Sequence, residues 1–113
     1  MADLAQEKFI SIKNHPSPLN DEEIKAYLKD VLGWTVQDVA GVPQLTRTFK
    51  FENFAQALEF TNAVGEIAEE QNHHPLIELT WGRVTVTWWT HDIDGLHKND
   101  FIMAAKTSQR YQK

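Results

Sequence analysis

With 113 residues, 42% hydrophobic and 24% charged, the chain has the size and composition of one soluble globular domain with its own core. A net charge of −5 leaves no broad basic surface for phosphate backbones and so excludes general nucleic-acid binding. Cysteine is absent, which excludes disulfides, thiolate nucleophiles and Cys-ligated zinc and is compatible with the cytosol. No apolar run reaches the length of a membrane span, and residues 1–8 start acidic without the apolar stretch of a secretory signal. A cytoplasmic protein is expected.

Residues 1–19 contain Pro16 and Pro18 and no sustained periodicity, so they read as an N-terminal arm ahead of a single domain over 20–113. Asn20, with Glu23 three residues on, has the form of a capping box. Ile24, Tyr27, Leu28, Val31 and Leu32 follow at helical spacing, predicting a helix that Gly33 ends. Trp34-Thr35-Val36 is a short strand candidate, Ala40-Gly41-Val42-Pro43 supplies a turn, and residues 44–51 alternate like a half-buried strand. Together these predict a hairpin.

Over 53–71 the period becomes helical. Phe54, Ala57, Leu58 and Thr61 form one row, and Phe60, Ala63, Val64, Ile67 and Ala68 another, which predicts a broad buried face with Gly65 admitting a close neighbour. Pro75 bars the helix from continuing and holds His74 extended. Residues 76–80 and 83–90 predict two strands around Trp81-Gly82. Residues 99–111 predict a last helix, with Asp100 placed to favour its dipole. The order α-β-β-α-β-β-α implies an α+β domain with helices on one face of an antiparallel sheet.

Three of the five histidines fall in two short blocks, Glu69-Glu70-Gln71-Asn72-His73-His74-Pro75 and Trp88-Trp89-Thr90-His91-Asp92. Imidazole titrates near neutral pH, so these blocks are candidates for proton transfer. The dipeptide has two readings: a loop histidine beside one that caps the helix, or two groups brought to one ligand by a kink before Pro75. His91 ends a strand, where a rigid scaffold presents site residues, and Asp92 could orient an imidazole. The plainer alternative is a polar outer face. A metal held by His73, His74 and His91 with Asp92 or Glu69 lacks the usual same-face helical spacing, so no metal is expected. Trp34 and Trp88 read as core, and Glu69 and Glu70 as solvated charges. A carboxylate near an imidazole would favour its protonated form.

The run Glu69-x3-His73-His74-Pro75, then Trp81-Gly82-Arg83-Val84, then Thr90-His91-Asp92-x2-Gly95-Leu96-x3-Asp100 resembles the pterin-4a-carbinolamine dehydratases, also called 4a-hydroxytetrahydrobiopterin dehydratases. The likeness runs without gaps over 69–105, and the helix–hairpin–helix upstream fits as well. It implies a four-stranded antiparallel sheet with three helices on one face. The implied reaction removes water from the 4a-hydroxypterin left by aromatic amino-acid hydroxylases, giving quinonoid dihydropterin without metal or redox cofactor. Such a dehydration needs an acid for the C4a hydroxyl and a base for the N5 proton.

By the same resemblance His73 and His91 are the acid–base pair, and His74 mainly binds and polarises the pterin. Asn72, Trp89, Thr90 and Asp92 are implied substrate contacts, with Glu69 behind them. Asn72 stands where the family often has Asp, Ile77 where many animal members have Trp, and Trp81 where Tyr is frequent. These departures look like the bacterial branch, which partners phenylalanine hydroxylase. The resemblance also implies a homodimer or homotetramer. The alternative it raises is a protein-binding module without turnover, since animal members serve as dimerisation cofactors of a homeodomain transcription factor.

Overall fold

The computed structural model describes residues 4–6 and 17–111; of the expected N-terminal arm, positions 1–3 and 7–16 lie outside the described residues, as do 112–113 at the end of the domain. Three helices, α1 (Asp21–Leu28), α2 (Phe54–Gln71) and α3 (Lys98–Tyr111), combine with four strands, β1 (Thr35–Val39), β2 (Val42–Lys50), β3 (Leu76–Leu79) and β4 (Arg83–Trp88). The strands form one antiparallel sheet in the order β1-β2-β4-β3. The expected α+β class and element order are those of the structure.

Period-two alternation decides which face the helices cover. Leu45 pairs with Trp88, Phe49 with Val84 and Ile77 with Val86, so these side chains share one face. Leu45, Phe49, Val84, Val86 and Trp88 are buried there against Phe60, Val64 and Ile67 of α2 and Phe101, Ile102 and Met103 of α3. The other face is lined by threonine pairs, Thr46 with Thr87 at 3.0 Å and Thr48 with Thr85 at 2.8 Å. Both core indoles tie the sheet to α3: Trp34 Nε1 donates to Ser108 Oγ and Trp88 Nε1 to Thr107 Oγ1. Leu4, in a short 3-10 turn, is buried in this core, and the adjoining Ala5 carbonyl accepts from Lys106 Nζ of α3.

The Asn20–Glu23 capping box forms in full, with both hydrogen bonds at 2.9 Å. The helix it starts is shorter than its apolar stripe: α1 stops at Leu28, Val31 is buried beyond it, and Leu32 is 79% exposed. Gly33 then adopts a positive φ of 88°, and a Cβ there would stand 3.0 Å from the Arg47 guanidinium. The hairpin turn is only Ala40-Gly41, both at positive φ, with Val39 paired to Val42. Val42 and Pro43 therefore belong to β2; Pro43 lies beyond the last β4 pair, Leu45–Trp88, so no ladder bond to β4 is lost.

The broad buried face expected for α2 is narrower. Ala57, Phe60, Val64, Ile67 and Ala68 are buried, but Phe54 and Leu58 are 49% and 41% exposed. One sheet covers one side of the helix, and Phe54 and Leu58 of the first apolar row turn away from it. Gly65 has no close neighbour either, since a Cβ added there would meet nothing within 4 Å.

Candidate active site

The two histidine blocks meet α3 at its N-terminal end. At the end of α2, Asn72 adopts the left-handed conformation (φ 50°, ψ 43°), and its N–H reaches the Ala68 and Glu69 carbonyls. Asparagine tolerates this geometry better than most residues. The chain reverses there and Pro75 holds it extended into β3, so successive side chains diverge. His73 is turned inward and is 8% exposed, whereas His74 is turned to solvent.

His73 Nε2 lies 2.7 Å from Asp100 Oδ1. Asp100 is fully buried, and its other oxygen accepts from Thr90 Oγ1 at 2.7 Å and from the His97 amide at 2.9 Å. A carboxylate so placed only accepts, so the His73 proton sits on Nε2 and points at Asp100. The imidazole also lies parallel to the buried Trp88 indole, with centroids 5.6 Å apart and 6° between planes. Tautomer, tilt and position of His73 are therefore fixed by α3 and β4 together.

Thr90 reaches Asp100 because β4 ends in a closed loop. Thr90 and Gly95 form an isolated antiparallel bridge around the 3-10 turn His91–Ile93. Gly95 lets the segment before α1 pack against this loop: a Cβ there would lie 2.7 Å from Pro18 Cβ, and the Leu19 amide donates to the Leu96 carbonyl. The loop carries His91 outward, where its ring stacks on Trp89 at 4.5 Å. Asp92 and Asn72 are exposed, Trp89 is half-buried and Thr90 is buried.

Glu69 pairs with His74 Nε2 at the surface, not with His73. The carboxylate that holds His73 is Asp100. Sequence reasoning gave Asp100 only a helix-dipole role, treated Trp88 as core alone, and passed over His97. The spacing His97-x2-Asp100 at the start of a helix was the available signal, because it is that of an N-cap and a side chain reaching back to it. The His97 ring accepts from the Asn99 amide at 3.0 Å. Burial pushes the His97 imidazole below its ordinary value; the nearby Asp100 carboxylate opposes that shift and His73 adds to it.

Among the described residues no three His, Asp or Glu side chains gather as a metal-holding group. A groove of roughly 670 Å³ lies at Lys50, Phe51, Gln56, Phe60, Arg110 and Tyr111 and includes none of the histidines. Its lining mixes charged side chains, Glu52 and Glu59 among them, with aromatic ones, and a groove by itself does not decide a site.

Residues 17–110 match the family model described as pterin 4 alpha carbinolamine dehydratase. A protein of Microcystis aeruginosa is 48% identical over 113 residues, spanning 100% of this chain and 97% of its own. One of Marinobacter nauticus is 49% identical over 111 residues, spanning 98% and 100%. Both are provisionally named pterin-4-alpha-carbinolamine dehydratases. The crystal structure of a transcriptional coactivator/pterin dehydratase from Brucella melitensis superposes with a TM-score of 0.76 at 34% identity, over 84% of this chain and 99% of that one. The chain belongs to the pterin-4a-carbinolamine dehydratase family. A pterin dehydratase-like RuBisCO assembly factor of the alpha-carboxysome shares the fold, at a TM-score of 0.61 and 23% identity over 72% of this chain and 92% of that one.

Proposed function

We propose that the protein dehydrates 4a-hydroxytetrahydrobiopterin to quinonoid dihydropterin, recycling the pterin of an aromatic amino-acid hydroxylase such as phenylalanine hydroxylase. The observation that carries this reading is His73, inward-facing and held by Asp100 at 2.7 Å beside the loop that presents His91. In the reaction the C4a–O bond breaks and the hydroxyl leaves as water after gaining a proton. The N5 lone pair forms the C4a=N5 double bond, and the N5 proton passes to a base.

His73 and His91 are the proposed proton-transfer pair. Asp100 engages Nε2 of His73 and so fixes how this ring is presented for the exchange. His74, exposed beside Glu69, binds and polarises the pterin. Trp89, half-buried under His91, offers a flat surface to the ring system, with Asn72, Thr90 and Asp92 around it. Thr90 acts indirectly, since its hydroxyl is spent on Asp100. The chemistry calls for no metal or redox cofactor. A homodimer or homotetramer in the cytoplasm fits this role, and no helix among the described residues is long and apolar enough to cross a membrane.

The second reading, a protein-binding module without turnover, is favoured by the exposed Phe54 and Leu58 on the outer side of α2. An ultraviolet assay of 4a-hydroxytetrahydropterin breakdown separates the two. The enzyme reading predicts acceleration over the uncatalysed rate and a loss of roughly 10²-fold or more in His73→Ala with the fold kept. No acceleration, or full activity in that variant, contradicts it.

A further inference from the structure

The dehydration mechanism uses no property of the His97 ring, yet that ring sits where it governs the parts that mechanism does use. His97 directly precedes the 14-residue helix α3. Its Nδ1 accepts from the Asn99 amide at 3.0 Å, and its own amide donates to Asp100 Oδ2 at 2.9 Å. The ring thus stands in for the Ser, Thr, Asp or Asn that usually caps a helix start. Those caps accept at any pH near neutrality. An imidazole accepts only while neutral, because protonation turns Nδ1 into a second donor facing the Asn99 N–H.

We propose that neutral His97 is a positioning residue that holds Asp100 against His73, and that its protonation loosens this hold and sets the acid limit of the reaction. The inference rests on the dehydratase reading only for its kinetic consequence. Protonation removes the cap acceptor and puts a positive charge at the positive end of the α3 dipole. It also places a cation near the Asp100 carboxylate, in competition with the hydrogen bond to His73. Asp100, on its own helix, and His73, from the α2–β3 connection, are the titratable groups acting on the ring. Burial and His73 favour the neutral, capping form near pH 7, and Asp100 alone pulls the other way.

The test compares normalised dehydration pH profiles of the parent, His97→Asn and His97→Ala, with imidazole ¹⁵N titrations of the ligand-free proteins. Asparagine caps well without titrating and alanine does not cap. Expected are a His97 ring protonated on Nε2 at pH 7, and His73 ring signals that shift as His97 titrates. The acid limb in His97→Asn should move down by roughly half a pH unit or more. His97→Ala should lose turnover several-fold relative to His97→Asn. An acid limb in His97→Asn that superimposes on the parent's, or His73 signals indifferent to the His97 titration, overturns the proposal. Absence of turnover in the parent would defeat the dehydratase reading, while the ring titrations would still decide whether His97 governs His73.

Discussion

His73 and His74 are neighbours in sequence and opposites in environment. His73 is inward-facing, stacked on Trp88 and tied to a carboxylate with no solvent exposure. His74 is 56% exposed at its side chain and pairs with Glu69, itself 78% exposed. His91 resembles His74 in exposure, resting on Trp89 at the tip of a closed loop. Ion pairs at the surface hold side chains weakly, whereas a buried carboxylate with three donors fixes an imidazole in one tautomer. The pair therefore divides into a preorganised group and an adaptable one. In the proposed reaction the first is suited to proton exchange in a fixed geometry and the second to binding the pterin.

The largest effects are expected on the preorganised side. His73→Ala removes the held imidazole, and its roughly 10²-fold loss should be met by His91→Ala if both exchange protons with the pterin. Both are read in the ultraviolet assay, with circular dichroism confirming the fold. His74→Ala should cost less, raising KM more than it lowers kcat, because an exposed side chain contributes binding. Comparable losses in kcat for His74→Ala and His73→Ala would erase the contrast.

Thr90→Val leaves Asp100 with one donor fewer, and a urea titration should show a stability loss of about 1–3 kcal/mol. Turnover in that variant should fall only several-fold, since His73 and the His97 amide still hold the carboxylate.

The smallest effect concerns pH and stability. The lowered value of His97 means the unfolded chain takes up this proton at a higher pH than the folded protein does. In the window below 6.5 and above that lowered value, the unfolded state binds more protons, so stability falls as pH falls. Above the window the contribution is fully present. Urea midpoints at pH 5 and 7 should differ less in His97→Asn than in the parent, and an unchanged difference would remove His97 as the source.

Local signals carried the fold well. The capping box, Pro75 and the alternation of β2 and β4 each act through neighbours in sequence, so they could be read there, whereas the first helix stops at Leu28, ahead of Gly33. The exposure of Phe54 and Leu58 could not, because periodicity marks an apolar row without saying whether anything covers it. The site followed the same rule. The histidines were visible as blocks, but the partner of His73 lies 27 residues away, while the nearer Glu69 goes to His74. Only the chain reversal at Asn72 and the closure of the Thr90–Gly95 loop choose between the two carboxylates.

The central claim is that Asp100 holds His73 ready for proton exchange. It is tested most directly by the single-turnover rate of Asp100→Asn on 4a-hydroxytetrahydropterin, with the uncatalysed rate as baseline. An amide of the same shape can turn its NH₂ toward Nε2 and favour the wrong tautomer. The account predicts a fall of roughly 10²-fold with the fold intact. A rate equal to the parent's would contradict it.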